Sequence, residues 1–217
     1  MKTNRFFYLM SLIAFITIAT GFRAVPSVWA EASTEGKKGL LAFGSQAPDF
    51  LLPDVVTGEA VRRDDFKDQK ALLVVILCRH CPYVKHILPD LVRFGKDYEG
   101  KGLAIVGISA NDPVAYAEDS PESLKDMAIS EGFTFPVLFD GTQGVAKAYT
   151  AVATPDFLLF DKNRKLVYRG QYDDSRPGNA VPVTGKDLRA AVDAVLAGKP
   201  VPADQRRAVG CSVKWKK

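Results

Sequence analysis

The 217-residue chain reads as an α/β domain, a central mixed β-sheet flanked by helices with a β-hairpin extension on its N-terminal side. Three observations predict this. Residues 71–77 (ALLVVIL) and 102–112 (GLAIVGISAND) are short and almost uniformly apolar, as strands buried on both faces are, and only a sheet covered by helices buries both faces. Segments of helical spacing alternate with these runs. Near the end, PDFLLFDKNRKLVYRGQYDD holds two strands around a tight Asp161 to Arg164 turn, which makes an antiparallel hairpin.

Taken in order, residues 44–70 (GSQAPDFLLPDVVTGEAVRRDDFKDQK) alternate apolar pieces with Pro, Gly and Asp, which predicts a small hairpin turning near Thr57 and Gly58. After the first buried strand, Val84, Ile87, Leu88, Leu91, Val92 and Phe94 fall at helical spacing, with Pro89 expected to kink the helix. The second strand is followed by SPESLKDMAISEG, a helix with Ser120 as N-cap, Pro121 in the first turn and Gly132 as stop. FTFPVLFD is a third strand and GTQGVAKAYTA a short helix. TGKDLRAAVDAVLAGKP predicts a capped last helix with Leu188, Ala191, Val192, Val195 and Leu196 on its apolar face. The domain is expected over residues 44–198.

The flanks carry much of the charge. Residues 1–30 begin with Lys2 and Arg5, run apolar from Phe6 to Thr20, meet Pro26 and offer Val28 and Ala30 as small residues before Glu31. This is the pattern of a secretory signal peptide cleaved near Ala30, and about fifteen apolar residues fall short of the ~20 that span a bilayer. A periplasmic or secreted protein without a stable membrane anchor is expected, in a compartment where disulfides persist. Residues 31–43 read as a flexible lead-in, and residues 199–217 as a basic tail. The formal charge of +4 and pI near 8.9 invite a nucleic-acid reading. Residues 1–30 hold three basic residues and no acid, and residues 205–217 hold five and no acid. The remainder has 21 basic residues against 25 acidic, so no nucleic-acid partner is expected.

The chemistry concentrates at Cys78-Arg79-His80-Cys81-Pro82, where a buried strand ends and a helix opens. The C-terminal edge of an α/β sheet is where ligands and chemistry collect. A helix N-terminus offers free N–H groups and the positive end of its dipole, which favour a thiolate at Cys78. Arg79 and His80 add positive charge. Stabilising the thiolate stabilises the reduced form, which predicts an oxidising dithiol. A Cys-x-x-Cys alone also suits half a zinc site. Cys78, Cys81, Cys211 and one of His80 or His86 make four ligands possible, so a copper- or zinc-holding protein without turnover is the alternative.

The order strand, Cys-x-x-Cys, helix, strand, helix, then Thr154-Pro155 leading into a hairpin, resembles the thioredoxin-like superfamily. GSQAPDFLLPDVVTGEAV with DDFKDQKALLVVIL is similar to its alkyl hydroperoxide reductase and thiol-specific antioxidant branch. More narrowly, CRHCPYVKHI and the terminal GCSVKWK resemble the bacterial peroxiredoxin-like thioredoxin family proteins. The resemblance implies a thioredoxin-like fold, Cys78 as the exposed attacking thiolate, Cys81 as the resolving thiol, and a redox-active Cys78-Cys81 disulfide with no other cofactor. It also implies protein thiols, disulfides or peroxide as substrates and a dithiol partner that recycles the protein. Pro155 becomes a cis-proline facing the disulfide, with Thr154 offering its backbone to a substrate strand. The plainer reading is that Pro155 only starts an edge strand. His80 takes the place that His holds in oxidising members, against the plainer reading of a surface residue.

Several features depart from the pattern or stay open. Leu77 stands where thioredoxins keep Trp. The first buried strand has no carboxylate to take the resolving thiol's proton, which weakens a reductase reading. A peroxiredoxin's Pro-x-x-x-Thr-x-x-Cys is absent, since Ala71 and Val75 hold its positions. Arg169, in a strand, is expected on a solvated face. Cys211 is an odd third cysteine with three open accounts: a second resolving thiol, a structural or intermolecular pairing, or an inert thiol. Lys214, Trp215 and Lys216 suggest a docking tail.

Overall fold

The computed structural model describes residues 39–217, so the signal peptide expected over 1–30 and most of the 31–43 lead-in lie outside the described residues. In chain order the elements are β1 (Leu51–Pro53), β2 (Ala60–Arg62), β3 (Ala71–Ile76), α1 (Pro82–Tyr98), β4 (Leu103–Ser109), α2 (Pro121–Glu131) and β5 (Val137–Phe139). There follow α3 (Gly144–Ala148), β6 (Ala153–Thr154), β7 (Asp156–Phe160), β8 (Leu166–Gly170), α4 (Lys186–Leu196) and β9 (Cys211–Ser212).

β3 and β4, the two apolar runs, form the centre, and every residue of both is buried. They pair in parallel from Ala71 opposite Leu103 to Ile76 opposite Ile108. β5 extends β4 in parallel, while β7 runs antiparallel to β3 and β8 antiparallel to β7, giving a mixed sheet in the order β5-β4-β3-β7-β8. Alternation sends Leu73, Val75 and Leu77 to one face, against Val84, Leu91 and Phe94 of α1, Leu124 of α2, and Leu188 and Val192 of α4. Leu72, Val74 and Ile76 go to the other face, with Leu158, Phe160 and Tyr149. Each fully buried Leu or Phe contributes roughly 1.5–3 kcal/mol.

The N-terminal hairpin β1-β2 forms where expected, with Gly58 at φ +76 in its turn. It leans on β5 through the Val55 N–H, which donates to the Val137 carbonyl at 2.9 Å. Helix α2 has its Ser120 cap, whose hydroxyl accepts the Ser123 N–H at 3.2 Å, and its left-handed Gly132 stop. Helix α1 continues through Pro89 to Tyr98, without the N–H that would reach back to Lys85. At α4 the cap differs from expectation. Gly185 is the N-cap, with no side-chain cap bond, because the buried Asp173 carboxylate accepts the Thr184 and Gly185 N–H groups, both at 2.7 Å. A Cβ at Gly185 would lie 2.6 Å from the Tyr172 ring, so glycine is required there.

Residues 199–217, the basic tail, fold back onto the body, which brings Cys211 toward the dithiol. β9 pairs antiparallel with β6, Ala153 opposite Ser212 and Thr154 opposite Cys211, and Val213 is buried. The segment expected as a docking tail, Lys214 to Lys216, is held to the body by its backbone. The Lys214 N–H donates to Asn111 Oδ1 at 2.8 Å, the Lys216 N–H donates to Gln143 Oε1 at 2.9 Å, and Trp215 lies beneath the Lys147 ammonium. Of the lead-in, Leu41 donates its N–H to the Thr150 hydroxyl at 2.9 Å. Among the described residues, no helix is long and apolar enough to cross a membrane.

Candidate active site

The Cys-x-x-Cys stands where strand gives way to helix. Leu77 closes β3 with an N–H bond to the Ile108 carbonyl at 3.0 Å, and Cys81 is the N-cap of α1, with Pro82 as its first helical residue. Proline fits there because that N–H has no helical acceptor. The Thr154-Pro155 bond is cis, as the resemblance implied, and its loop meets the motif from β7. Cys78 Sγ lies 3.3 Å from the Thr154 hydroxyl, and Cys81 Sγ lies 3.1 Å from the Thr154 carbonyl.

An exposed attacking thiolate was expected at Cys78; here both thiols are 0% exposed, and they join the apolar cluster beneath α1. Burial changes the electrostatics. The side-chain hydrogen bond from Cys81, then burial, raise Cys78, and the Asp119 charge raises it further, against the Thr154 hydroxyl and the Cys81 N–H. The same thiol-thiol bond lowers Cys81 to about 4. These are two sides of one shared proton. The pair loses its first proton below the ordinary thiol range and its second above it. Donors face both sulfurs: the Thr154 hydroxyl and the Cys81 N–H lower Cys78, while the Val84 and Cys211 N–H groups lower Cys81, so the negative charge is shared across the pair.

The residues between the cysteines are each held by a neighbouring segment. The Arg79 guanidinium donates to the Ser123 carbonyl at 2.7 Å and the Ser123 hydroxyl at 2.8 Å, which ties it to α2 rather than to the thiolate. His80 is engaged by Asp119 through Nδ1 and stacks on Tyr116 at 4.8 Å between ring centroids. Its side chain is largely buried, so the surface-residue reading does not hold.

Asp119 is the residue that sequence reasoning missed. Fully buried, it accepts the Arg79 N–H at 2.8 Å and the His80 N–H at 3.1 Å with one oxygen, and Asn111 Nδ2 at 2.8 Å with the other. It therefore fixes the backbone of the motif. The carboxylate absent from β3 comes from the segment ahead of α2, and the only sign in the sequence was an acid directly before the Ser120 cap. Asn111 also holds the Lys214 N–H, so one amide links the dithiol loop to the returning chain.

Two expectations move. Arg169 is buried, not solvated: it forms a 2.7 Å ion pair with Asp156 and donates to the Thr150 hydroxyl at 2.8 Å. Arg169 stands opposite Leu158 and Asp156 opposite Ile76, which places this pair on the sheet face away from the dithiol. His86 lies 2.7 Å from the Ser175 hydroxyl. The tetrad built from three cysteines and a histidine is thus not the one assembled. Among the described residues, Cys78, His80 and Asp119 bring ligand atoms within 4.8 Å of one another, and the His80 nitrogen nearest Asp119 is already engaged by it.

Cys211 comes to the site instead. Its partner across the β6-β9 ladder is Thr154, whose hydroxyl lies 3.5 Å from the Cys211 carbonyl. Cys81 is hydrogen-bonded to both Cys78 and Cys211. Burial and the neighbouring Cys81 push the Cys211 thiol up to about 11.

Comparison with known proteins agrees with this geometry. Residues 43–169 match the model of the AhpC/TSA family. Thiol-disulfide oxidoreductase ResA of Halalkalibacterium halodurans is 24% identical over 166 residues, covering 76% of this chain and 86% of the relative. A crystal structure of an uncharacterized conserved protein from Geobacillus kaustophilus is 52% identical, with a TM-score of 0.79 over 81% of this chain and 93% of that one. A hypothetical protein from Sinorhizobium meliloti is 48% identical, with a TM-score of 0.80 over 82% and 97%. The thioredoxin domain of a thiol-disulfide oxidoreductase from Bacteroides vulgatus is 26% identical, with a TM-score of 0.51 over 59% and 88%.

Proposed function

Since the chain belongs to the AhpC/TSA family, we propose that it is an exported thiol-disulfide oxidoreductase whose working group is the Cys78-Cys81 dithiol. The observation that carries this is the placement of two hydrogen-bonded thiols between a strand end and a helix N-terminus, against Thr154 and cis-Pro155. In the oxidising direction a substrate thiolate attacks Cys78 Sγ, the Cys78-Cys81 bond breaks, and Cys81 leaves as thiolate. A second substrate thiol then attacks its own sulfur in the mixed disulfide and releases Cys78, so the substrate loses two electrons and the dithiol gains them. The reverse sequence reduces a substrate disulfide. Asp119 and Asn111 position the motif, and no other cofactor is part of this chemistry. The printed name of the ResA relative supports the reaction class, and the N-terminal pattern of residues 1–30 supports export.

Peroxide is the secondary substrate: Cys78 thiolate attacks the peroxide, leaves as sulfenic acid with loss of an alcohol or water, and Cys81 closes the disulfide with loss of water. Ala71 and Val75 offer no polar group at the peroxiredoxin positions, so this turnover is expected to be slow. Three measurements test the proposal. Cys81→Ser should accumulate mixed disulfides with substrate proteins in oxidised extract, and Cys78→Ser should abolish both exchange and trapping. Wild-type activity in Cys78→Ser would refute it. Stoichiometric metal on the purified protein, with no Cys78-Cys81 disulfide in any redox buffer, would favour the metal-holding alternative.

A further inference from the structure

We infer that Cys211 is a third redox thiol, which replaces Cys78 as the disulfide partner of Cys81 and returns Cys78 to the thiolate state. The inference rests on the proposed function, because it requires that Cys78 and Cys81 form a disulfide. The step is a single exchange. Cys211 thiolate attacks Cys81 Sγ, the Cys81-Cys211 bond forms as the Cys78-Cys81 bond breaks, and Cys78 leaves with the electron pair. No oxidant is consumed, and the protein holds the same two oxidising equivalents in a new place.

Four observations support it. All three cysteines converge on one residue: Cys78 on the Thr154 hydroxyl at 3.3 Å, Cys81 on its carbonyl at 3.1 Å, and Cys211 opposite it in the β6-β9 ladder. Both other cysteines lower the Cys81 thiol, whose Sγ meets the Thr154 carbonyl, so Cys81 holds the middle position that attack along the Cys78-Cys81 bond requires. The strand carrying Cys211 pairs with β6 at the edge next to Pro155, so the chain presents its own thiol beside the dithiol. It is also held on both sides. A Cβ at Gly210 would stand 2.0 Å from the Thr154 carbonyl oxygen, so only glycine lets the strand approach this closely. Beyond Ser212, Asn111 and Gln143 hold the Lys214 and Lys216 backbone.

Trypsin separates the three cysteines, since cleavage after Lys70, Arg79, Lys85, Arg207 and Lys214 leaves Cys78 in 71–79, Cys81 in 80–85 and Cys211 in 208–214. The full chain is equilibrated across glutathione redox buffers, acid-quenched, alkylated, digested and read by mass spectrometry. The expected result in wild type is two linkages, 71–79 with 80–85 and 80–85 with 208–214. Cys78→Ser should give the second linkage alone, within one molecule. Gly210→Ala, by forcing β9 off Thr154, should lower it at least tenfold while the first persists. Overturning results are wild type holding only the first linkage with Cys211 alkylated throughout, a 71–79 with 208–214 linkage instead, or Cys81-Cys211 pairing only between molecules. Wild type decides alone if a variant fails to fold. Absence of the first linkage together with the second would instead refute the proposed function itself.

Discussion

Asp119 is fully buried beside the dithiol, and its charge opposes a thiolate at Cys78, after the Cys81 hydrogen bond and burial. Asp119→Asn removes that charge while keeping an oxygen to accept the Arg79 and His80 N–H groups. Two unit charges within 4.8 Å of each other repel by about 3.5 kcal/mol at an effective dielectric constant of about 20. Removing this repulsion stabilises the reduced form. At about 1.4 kcal/mol per 30 mV, the reduction potential should rise by roughly 75 mV with the full charge on Cys78, and by about half that where the charge is shared between the two sulfurs. The assay equilibrates wild type and variant with glutathione buffers and quantifies Cys78-Cys81 disulfide at each ratio. A potential that stays within about 10 mV, or becomes more reducing, would refute the claim that Asp119 acts on the dithiol through charge. The loss of charge-assisted hydrogen bonds should separately cost about 1.5–3 kcal/mol of stability, read from denaturant melts.

Three further outcomes are expected. The reduced protein should show thiolate absorbance from one sulfur far below the ordinary thiol range, lost as pH falls to about 4 and absent from the oxidised protein. Arg169→Leu leaves Asp156 buried without its partner and should cost about 3–5 kcal/mol near neutral pH. Because burial raises the Asp156 carboxyl, the folded variant takes up that proton more readily than the unfolded chain, so part of the loss should be recovered as pH falls, which urea melts at several pH values will read. Ser120→Ala removes the α2 cap and should lower stability by about 1 kcal/mol, again by melts.

Much of the fold was legible in the sequence because the strongest signals were local. Unbroken apolar runs announced β3 and β4, Ser120 and Gly132 announced the ends of α2, and the Asp161 to Arg164 turn announced the β7-β8 hairpin. The Cys-x-x-Cys at a strand-to-helix junction announced the site. What escaped notice depends on partners far along the chain. Asp119 looked like a loop acid until the fold carried it to residues 79 and 80, and Arg169 looked like a surface cation until Asp156 met it across β7 and β8. The cap expected on the last helix gave way to Gly185, because Asp173 accepts the Thr184 and Gly185 N–H groups. Cys211 offered no local sign of its place, because its contacts are with residues 57 and more positions earlier.

The β6-β9 ladder has a kinetic consequence. It is two residues long in each strand, while β3 is locked between β4 and β7 along its whole length. So short a ladder opens by local release long before the sheet itself unfolds. If, as proposed, a protein substrate lays its own strand beside Thr154, it does so in that opened state. Its turnover should therefore level off at the opening rate of residues 210–212, whatever its concentration, while a thiol as small as glutathione needs no such release. Comparing saturation curves for the two kinds of substrate measures how long the edge stays shut.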